Sequence, residues 1–232
     1  MHAIAVEGVW KYYGDYPALR DISFTTAPGT CLALIGRNGA GKTTLLRTIA
    51  GFSRPMKGKI EILGRQPRET ATRRDIGFIG HGIALYDELS AIENLMLYAR
   101  LYGIPDPRRR ALEWLEKTGL ERVRDGLVRE FSRGMRQRLA VARAFLHEPS
   151  VLLLDEPFTA LDDRAIAVLQ RLLREAGSKS RTIVLSTHQL REALELATHV
   201  ALLNRGRVAF HGECTAEMAA DPGFVYARYG EG

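Results

Sequence analysis

The stretch Cys31–Thr44, CLALIGRNGAGKTT, constrains the fold more than any other part of the chain. The five apolar residues CLALI, bounded by a turn signal, read as a buried strand. Gly36-Arg-Asn-Gly-Ala-Gly-Lys-Thr matches the spacing G-x-x-x-x-G-K-[ST], and KTTLLRTIA follows it as a helix that Gly51 ends. Strand, glycine-rich loop and helix in that order build a phosphate cradle. The glycines let backbone N–H groups curl around an anion, and the helix N-terminus adds positive potential. In that reading Gly36, Asn38, Gly39, Ala40, Gly41 and Thr44 line the cradle. Lys42 reaches the outer phosphates, and the Thr43 hydroxyl holds Mg²⁺.

The rest of the chain supplies a sheet for that strand. AIAVEGV, DISFT, KGKIEIL, DIGFIG, VLLLD, TIVLS, HVALLN and RVAFHG read as further strands. Residues 88–148 are helical in character. Ser90 and Glu93 form a capping box ahead of ENLMLYARLYG, Pro105 and Pro107 break that helix, and helices follow over 108–118 and 132–146. Two more helices fit Asp163–Ala176 and QLREALELA. Alternating strands and helices imply an α/β fold with a mainly parallel sheet. The 232 residues suffice for one large domain, with 1–87 and 150–232 as the core and 88–149 as an inserted helical subdomain.

Val151-Leu-Leu-Leu-Asp155-Glu156 is a second strand that ends in chemistry. Asp155 binds Mg²⁺ directly or through water, and Glu156 takes a proton from, or orients, an attacking water. Together with the phosphate loop this reads as the site of a P-loop nucleoside triphosphatase, with Mg²⁺ expected. The two cysteines, Cys31 and Cys214, form no disulfide framework or metal spacing, which fits a reducing compartment. The N-terminus lacks the pattern of a signal peptide, and no apolar run approaches the length of a membrane span. The net charge of +6 points weakly to nucleic acid or an anionic membrane, but the densest run is only Arg108–Arg110.

The segment FSRGM…LAVARAFLHEPSVLLLDEP discriminates among phosphate-loop enzymes. Ser132 and Gly134 at a helix start offer a hydroxyl and free N–H groups to a phosphate. Loop, helix and strand in this order resemble the ATP-binding cassette ATPases, the motor subunits of ABC transporters, over about residues 4–212. The resemblance implies a P-loop fold with an N-terminal antiparallel β subdomain. It implies adenine stacking on Tyr13, with Tyr12 and Tyr16 as neighbouring candidates. It makes Asp162, in TALD, part of a loop at a dimer interface, and His188 a switch residue beside the γ-phosphate. His81 stands where that family has a glutamine near Mg²⁺, and two readings stand: a stand-in for it, or an ordinary loop histidine.

Only Ser132 and Gly134 keep the family's usual Leu-Ser-Gly-Gly-Gln signature; Phe131, Arg133 and Met135 depart from it. The resemblance implies two chains sandwiching two ATP molecules, permease subunits as partners, and work at the cytoplasmic face of the cell membrane. Ile83, Leu85, Tyr86, Leu95, Leu97 and Tyr98 are the candidate docking face. Within the family the chain looks most like exporter ATPases, in particular the haem exporters of cytochrome c maturation. Other drug, lipid or polysaccharide exporters are the alternative. A soluble cassette ATPase acting on nucleic acid is the runner-up class; its usual coiled coils or second cassette are missing, and no nucleic-acid partner is expected.

Overall fold

The computed structural model describes residues 2–80, 84–159, 161–221 and 223–229. His81 and Ile83 therefore lie outside the described residues. The strands are β1 (Ile4–Tyr13), β2 (Tyr16–Thr26), β3 (Cys31–Ile35), β4 (Lys57–Ile62), β5 (Ile76–Ile79), β6 (Val151–Asp155), β7 (Thr182–Ser186), β8 (His199–Asn204) and β9 (Arg207–Glu213). The helices are α1 (Lys42–Ile49), α2 (Thr70–Arg74), α3 (Ala91–Leu101), α4 (Pro107–Lys117), α5 (Arg133–Phe145), α6 (Asp163–Ser178), α7 (Leu190–Leu194), α8 (Ala216–Ala220) and α9 (Phe224–Tyr229).

Two sheets carry the fold. One has the order β5-β6-β7-β3-β8-β9, parallel except for the last strand, and the other is antiparallel with the order β2-β1-β4. The central strands are buried on both faces, which is why CLALI, VLLLD and TIVLS read as unbroken apolar runs. Their side chains nevertheless alternate. Cys31, Ala33, Ile35, Leu152, Leu154, Ile183 and Leu185 point into a core shared with the helical block. Leu32, Leu34, Val151, Leu153 and Val184 point into a core roofed by α1 and the antiparallel sheet. The parallel strands end together, so β3, β6 and β7 deliver their C-terminal loops to one edge, where ligands bind in open α/β sheets.

Local chemistry explains the helix bounds. Ser90 caps α3 in the expected capping box: Glu93 N–H donates to its hydroxyl, and Glu93 Oε2 accepts from Ser90 N–H at 2.8 Å. Pro107 does not break a helix. It is the first residue of α4, where its missing N–H costs nothing, and Asp106 caps it; α3 has already ended at Leu101 ahead of Gly103, φ +71°. The expected helix QLREALELA shrinks to the five residues of α7, while α2, α8 and α9 were not foreseen.

His147 lies at the junction of the helical block and the sheet. Its ring stacks on Tyr102, with centroids 3.8 Å apart, and its Nε2 is 3.1 Å from Ile76 O. Burial pushes its pKa down to about 4, with nearby Arg143 adding to the effect. The folded protein thus prefers the neutral ring, and the unfolded chain takes up the proton first. The stabilisation is complete above about pH 6.5 and is lost as pH falls toward 4. Between pH 7 and pH 5 the loss is about 2 kcal/mol at most, a fall of ~4–8 °C in Tm for a chain of this size. In His147→Gln, thermal melts over that range should show a flatter dependence; equal slopes would remove His147 from the acid response.

Candidate nucleotide and magnesium site

The loop between β3 and α1 depends on two glycines. A Cβ on Gly36 would lie 2.5 Å from Leu203 O, and one on Gly41, φ +106°, would lie 2.7 Å from Ala18 O. No larger residue fits without moving neighbouring backbone. Lys42 is nearly buried, and its Nζ donates to Gly36 O at 2.8 Å and to Arg37 O at 3.4 Å. Burial lowers its pKa, opposed by the carboxylates of Glu156 and Asp155. These two residues close the other side of the site.

β6 and β7 place the acidic half. Thr43 Oγ1 donates to Asp155 Oδ1 at 3.1 Å, and Ser186 Oγ donates to the same oxygen at 2.5 Å. Asp155 Oδ2 is buried with no hydrogen-bond partner among the described residues. A buried, unpartnered carboxylate oxygen beside a threonine hydroxyl is an oxygen donor set suited to a hard cation that keeps most of its water, such as Mg²⁺. Glu156 adopts φ +53°, a turn that moves its side chain off the strand line. Its N–H donates to Ser186 O at 2.9 Å. Its Oε2 accepts from His188 N–H at 3.2 Å and lies 2.8 Å from His188 Nδ1.

Lys42, Thr43 and Glu156 share a cleft of about 340 Å³ with Tyr13, Tyr16, Ala18, Asn38, Gly39, Ala40, Gly41 and Thr44, and Thr43 with Asp155 lines a neighbouring one of about 430 Å³. Tyr13 is 53% exposed, with Lys11 Nζ over its ring 5.8 Å from the centroid. Tyr16 shares the cleft, and Tyr12 does not line it. The remaining sequence candidates sit elsewhere. Ser132 caps α5, accepting from Met135 N–H at 3.2 Å, and Asp162 caps α6, accepting from Ala165 N–H at 2.8 Å. Neither they nor Gly134 line the phosphate-loop cleft.

The sequence reading missed two side chains. Ser186 was seen only as the end of a strand, and Gln137 only as part of a helix. Gln137 is buried and donates from Nε2 to Pro157 O at 3.0 Å, tying α5 to the turn after Glu156. A buried glutamine on an otherwise apolar helix face was the available signal. Of the docking candidates, Leu95 is wholly buried and belongs to the core. Tyr86 is 52% exposed, and Tyr98 donates from its hydroxyl to Ala84 O at 2.9 Å.

A parallel sheet that delivers a glycine-rich phosphate loop, a carboxylate pair and a histidine to one edge defines a P-loop nucleoside triphosphatase. The chain belongs to the ABC transporter family, whose profile matches residues 19–159. It is 41% identical to the daunorubicin resistance ATP-binding protein DrrA3 of Streptomyces coeruleorubidus, over 94% of this chain and 72% of that protein. It is 35% identical to the Nod factor export ATP-binding protein I of Cupriavidus metallidurans, over 90% and 71%. It is also 39% identical to the sulfate/thiosulfate import ATP-binding protein of Mesorhizobium japonicum, over 98% and 68%. Among solved structures, an ATP-binding subunit of an ABC transporter superposes with a TM-score of 0.86 at 33% identity, covering 98% of this chain and 93% of that one. A dimeric ATP-binding cassette with ADP and Pi bound superposes with 0.85 at 27%, covering 92% and 99%.

The chain is the ATP-binding subunit of an ABC transporter, and it binds ATP with Mg²⁺ and hydrolyses it to drive transport. Among the described residues no helix is long and apolar enough to cross a membrane.

Proposed function

We propose that this chain powers an exporter, as one of two identical ATPase subunits seated at the cytoplasmic face of the membrane under permease subunits. Residues 88–149 form the helical arm and the remainder the catalytic core. The observation that carries the shared-site reading is the separation of the parts. Lys42, Thr43, Asp155, Glu156 and His188 converge at the phosphate loop, whereas Ser132 and Gly134 line no part of that cleft. A helix N-terminus with its hydroxyl and N–H groups then meets the phosphate of the opposite chain.

In this reading Lys42 and the loop amides of Gly36, Asn38, Gly39, Ala40, Gly41 and Thr44 bind the phosphates, and Tyr13 stacks on the adenine. Mg²⁺, when bound, draws charge from the phosphate oxygens, and Thr43 and Asp155 would hold it. Ser186 fixes the Asp155 carboxylate through its 2.5 Å hydrogen bond, leaving Oδ2 for the ion. Glu156 orients water and accepts its proton, while His188 holds the Glu156 carboxylate through its N–H and Nδ1. Asp162 sits at the dimer interface, and His81 stands, by its place in the sequence, where the family has its glutamine.

The exported molecule follows from the permease. Export of an organic amphiphile is favoured by the 41% identity to a drug-resistance ATPase and by the Nod factor exporters, with sulfate importers the contrary likeness. The resemblance of the Gly80-His81 segment keeps haem export as the finer candidate. Export of labelled drug or of haem into the medium, by cells carrying or lacking the gene, separates these.

Mixed dimers test the sharing. Combining Lys42→Ala chains with Ser132→Arg chains puts both lesions in one composite site and none in the other. Partial recovery of ATPase, against none in either parent, is the expected result. Proven mixed dimers with no recovery, alongside wild-type/double-mutant dimers that hydrolyse normally, would sink it.

A further inference from the structure

The charge of this protein is concentrated in one place. Residues 47–75 hold eight basic and three acidic side chains, so they carry five of the six net positive charges, and the rest of the chain is nearly neutral. Two of the eight are paired, Lys59 with Glu61 and Arg65 with Asp75. Arg47, Arg54, Lys57, Arg68, Arg73 and Arg74 are exposed and make no ion pair among the described residues. The fold gathers them. Arg54 and Arg68 line a cleft of about 350 Å³, and Arg47 and Arg73 stand at a second of about 430 Å³ whose far wall holds Thr43 and Asp155 of the magnesium site.

The turn after α1 stands between the two clefts and carries the apolar part of the face. Phe52 is 61% exposed and Met56 67% exposed. Hydrogen bonds to backbone carbonyls hold this turn out. Phe52 N–H donates to Arg47 O at 3.0 Å, Met56 N–H donates to Trp10 O at 2.8 Å, and Lys11 Nζ donates to Arg54 O at 2.9 Å. Phe52 leans edge-on against Phe78, centroids 4.8 Å apart, and keeps its outer face free. A fixed turn presenting an aromatic and a thioether within a field of unpaired cations is the composition that adheres to anionic bilayers.

We propose that the face built by residues 47–75 rests on anionic lipid headgroups. The cleft holding Arg47 and Phe52 also contains Ala84, Tyr98 and Tyr102, on the side assigned above to the permease. The lipid contact thus continues that seat, and its orientation rests on the permease reading. Phosphate headgroups meet the guanidinium groups, while Phe52 and Met56 enter the interfacial layer. Attraction of this kind is screened by salt beyond about 10 Å at 0.1 M.

Flotation of the purified full chain with vesicles tests this without nucleotide or permease. Phosphatidylcholine vesicles containing phosphatidylglycerol should carry the protein at low salt, and pure phosphatidylcholine should not. Each basic side chain near such a surface strengthens binding about fivefold. Arg54→Glu/Lys57→Glu/Arg68→Glu should therefore weaken it by about 100-fold, while Arg108→Glu/Arg109→Glu/Arg171→Glu, with the same change of net charge, should weaken it far less. Met56→Ser should lower the part of binding that survives high salt. Both triple variants should melt and hydrolyse ATP like the wild type.

Equal loss in the two triple variants, or equal binding to neutral vesicles, overturns the assignment. So does retained vesicle binding by the Arg54/Lys57/Arg68 variant with loss of binding to polyuridylate RNA, which would make the face a nucleic-acid surface. Lys42→Ala should float as the wild type does, so a failure here and a failure of the ATP-site assignment are distinguishable.

Discussion

Glu156→Gln is expected to bind Mg·ATP as the wild type does and to lose turnover by about 10²–10⁴-fold, the contribution of a positioned general base. The substitution keeps shape and keeps an acceptor for His188 N–H, now 3.2 Å from Glu156 Oε2, so the turn after β6 should survive. What it removes is the only carboxylate among the described residues that lines the phosphate-loop cleft. Asp155 is already engaged by Thr43 and Ser186. With hydrolysis blocked, ATP should hold two chains together, and scattering should report a dimer with ATP and a monomer without it. Wild-type turnover in Glu156→Gln would remove Glu156 from the base role. Loss of ATP binding together with turnover would show that its carboxylate supports the site's structure.

Lys42→Ala should lose ATP affinity by about 10²-fold, since charge-assisted hydrogen bonds contribute about 1.5–3 kcal/mol each. The wild-type side chain is buried, and its burial lowers the ammonium pKa. Desolvating this cation favours anions beside it, and the Glu156 and Asp155 carboxylates already supply part of that charge. The substitution also leaves Gly36 O and Arg37 O without their donor, so stability must be read separately. Lys42→Arg, which keeps the charge but carries a larger planar head, should melt normally and bind ATP weakly. Unchanged ATP affinity in both variants, by fluorescent-nucleotide titration, would exclude Lys42 from phosphate binding.

Local order determined much of this protein from sequence. CLALI-GRNGAGKTT-LLRTIA had to be strand, loop and helix because the apolar run, the glycine spacing and the helix-forming tail each admit little else. The structure places β3 and α1 there. VLLLD followed by a glutamate had to be a buried strand ending at a polar edge, and both carboxylates lie there. Ser90 and Glu93 fixed the start of α3 because a capping box is a contact between residues three apart.

Only the tertiary structure decided what depends on distant neighbours. Pro107 could end one helix or begin the next, and Asp106 together with the packing of α4 on α3 chose the second. Leu95 and Tyr98 share a helix, yet one is wholly buried and the other lines a cleft. Ser186 matters because β7 pairs with β6 in a register that sets it opposite Asp155, a parallel pairing across 31 residues that no local pattern encodes. The sequence concentrates the net charge in residues 47–75 but does not say which of these side chains share a surface: the fold brings Arg54 and Arg68 to one cleft and Arg47 and Arg73 to another. A sequence reports contacts between residues a few positions apart. A pairing set by sheet register, or a surface set by which loops fold together, exists only once the chain has closed on itself.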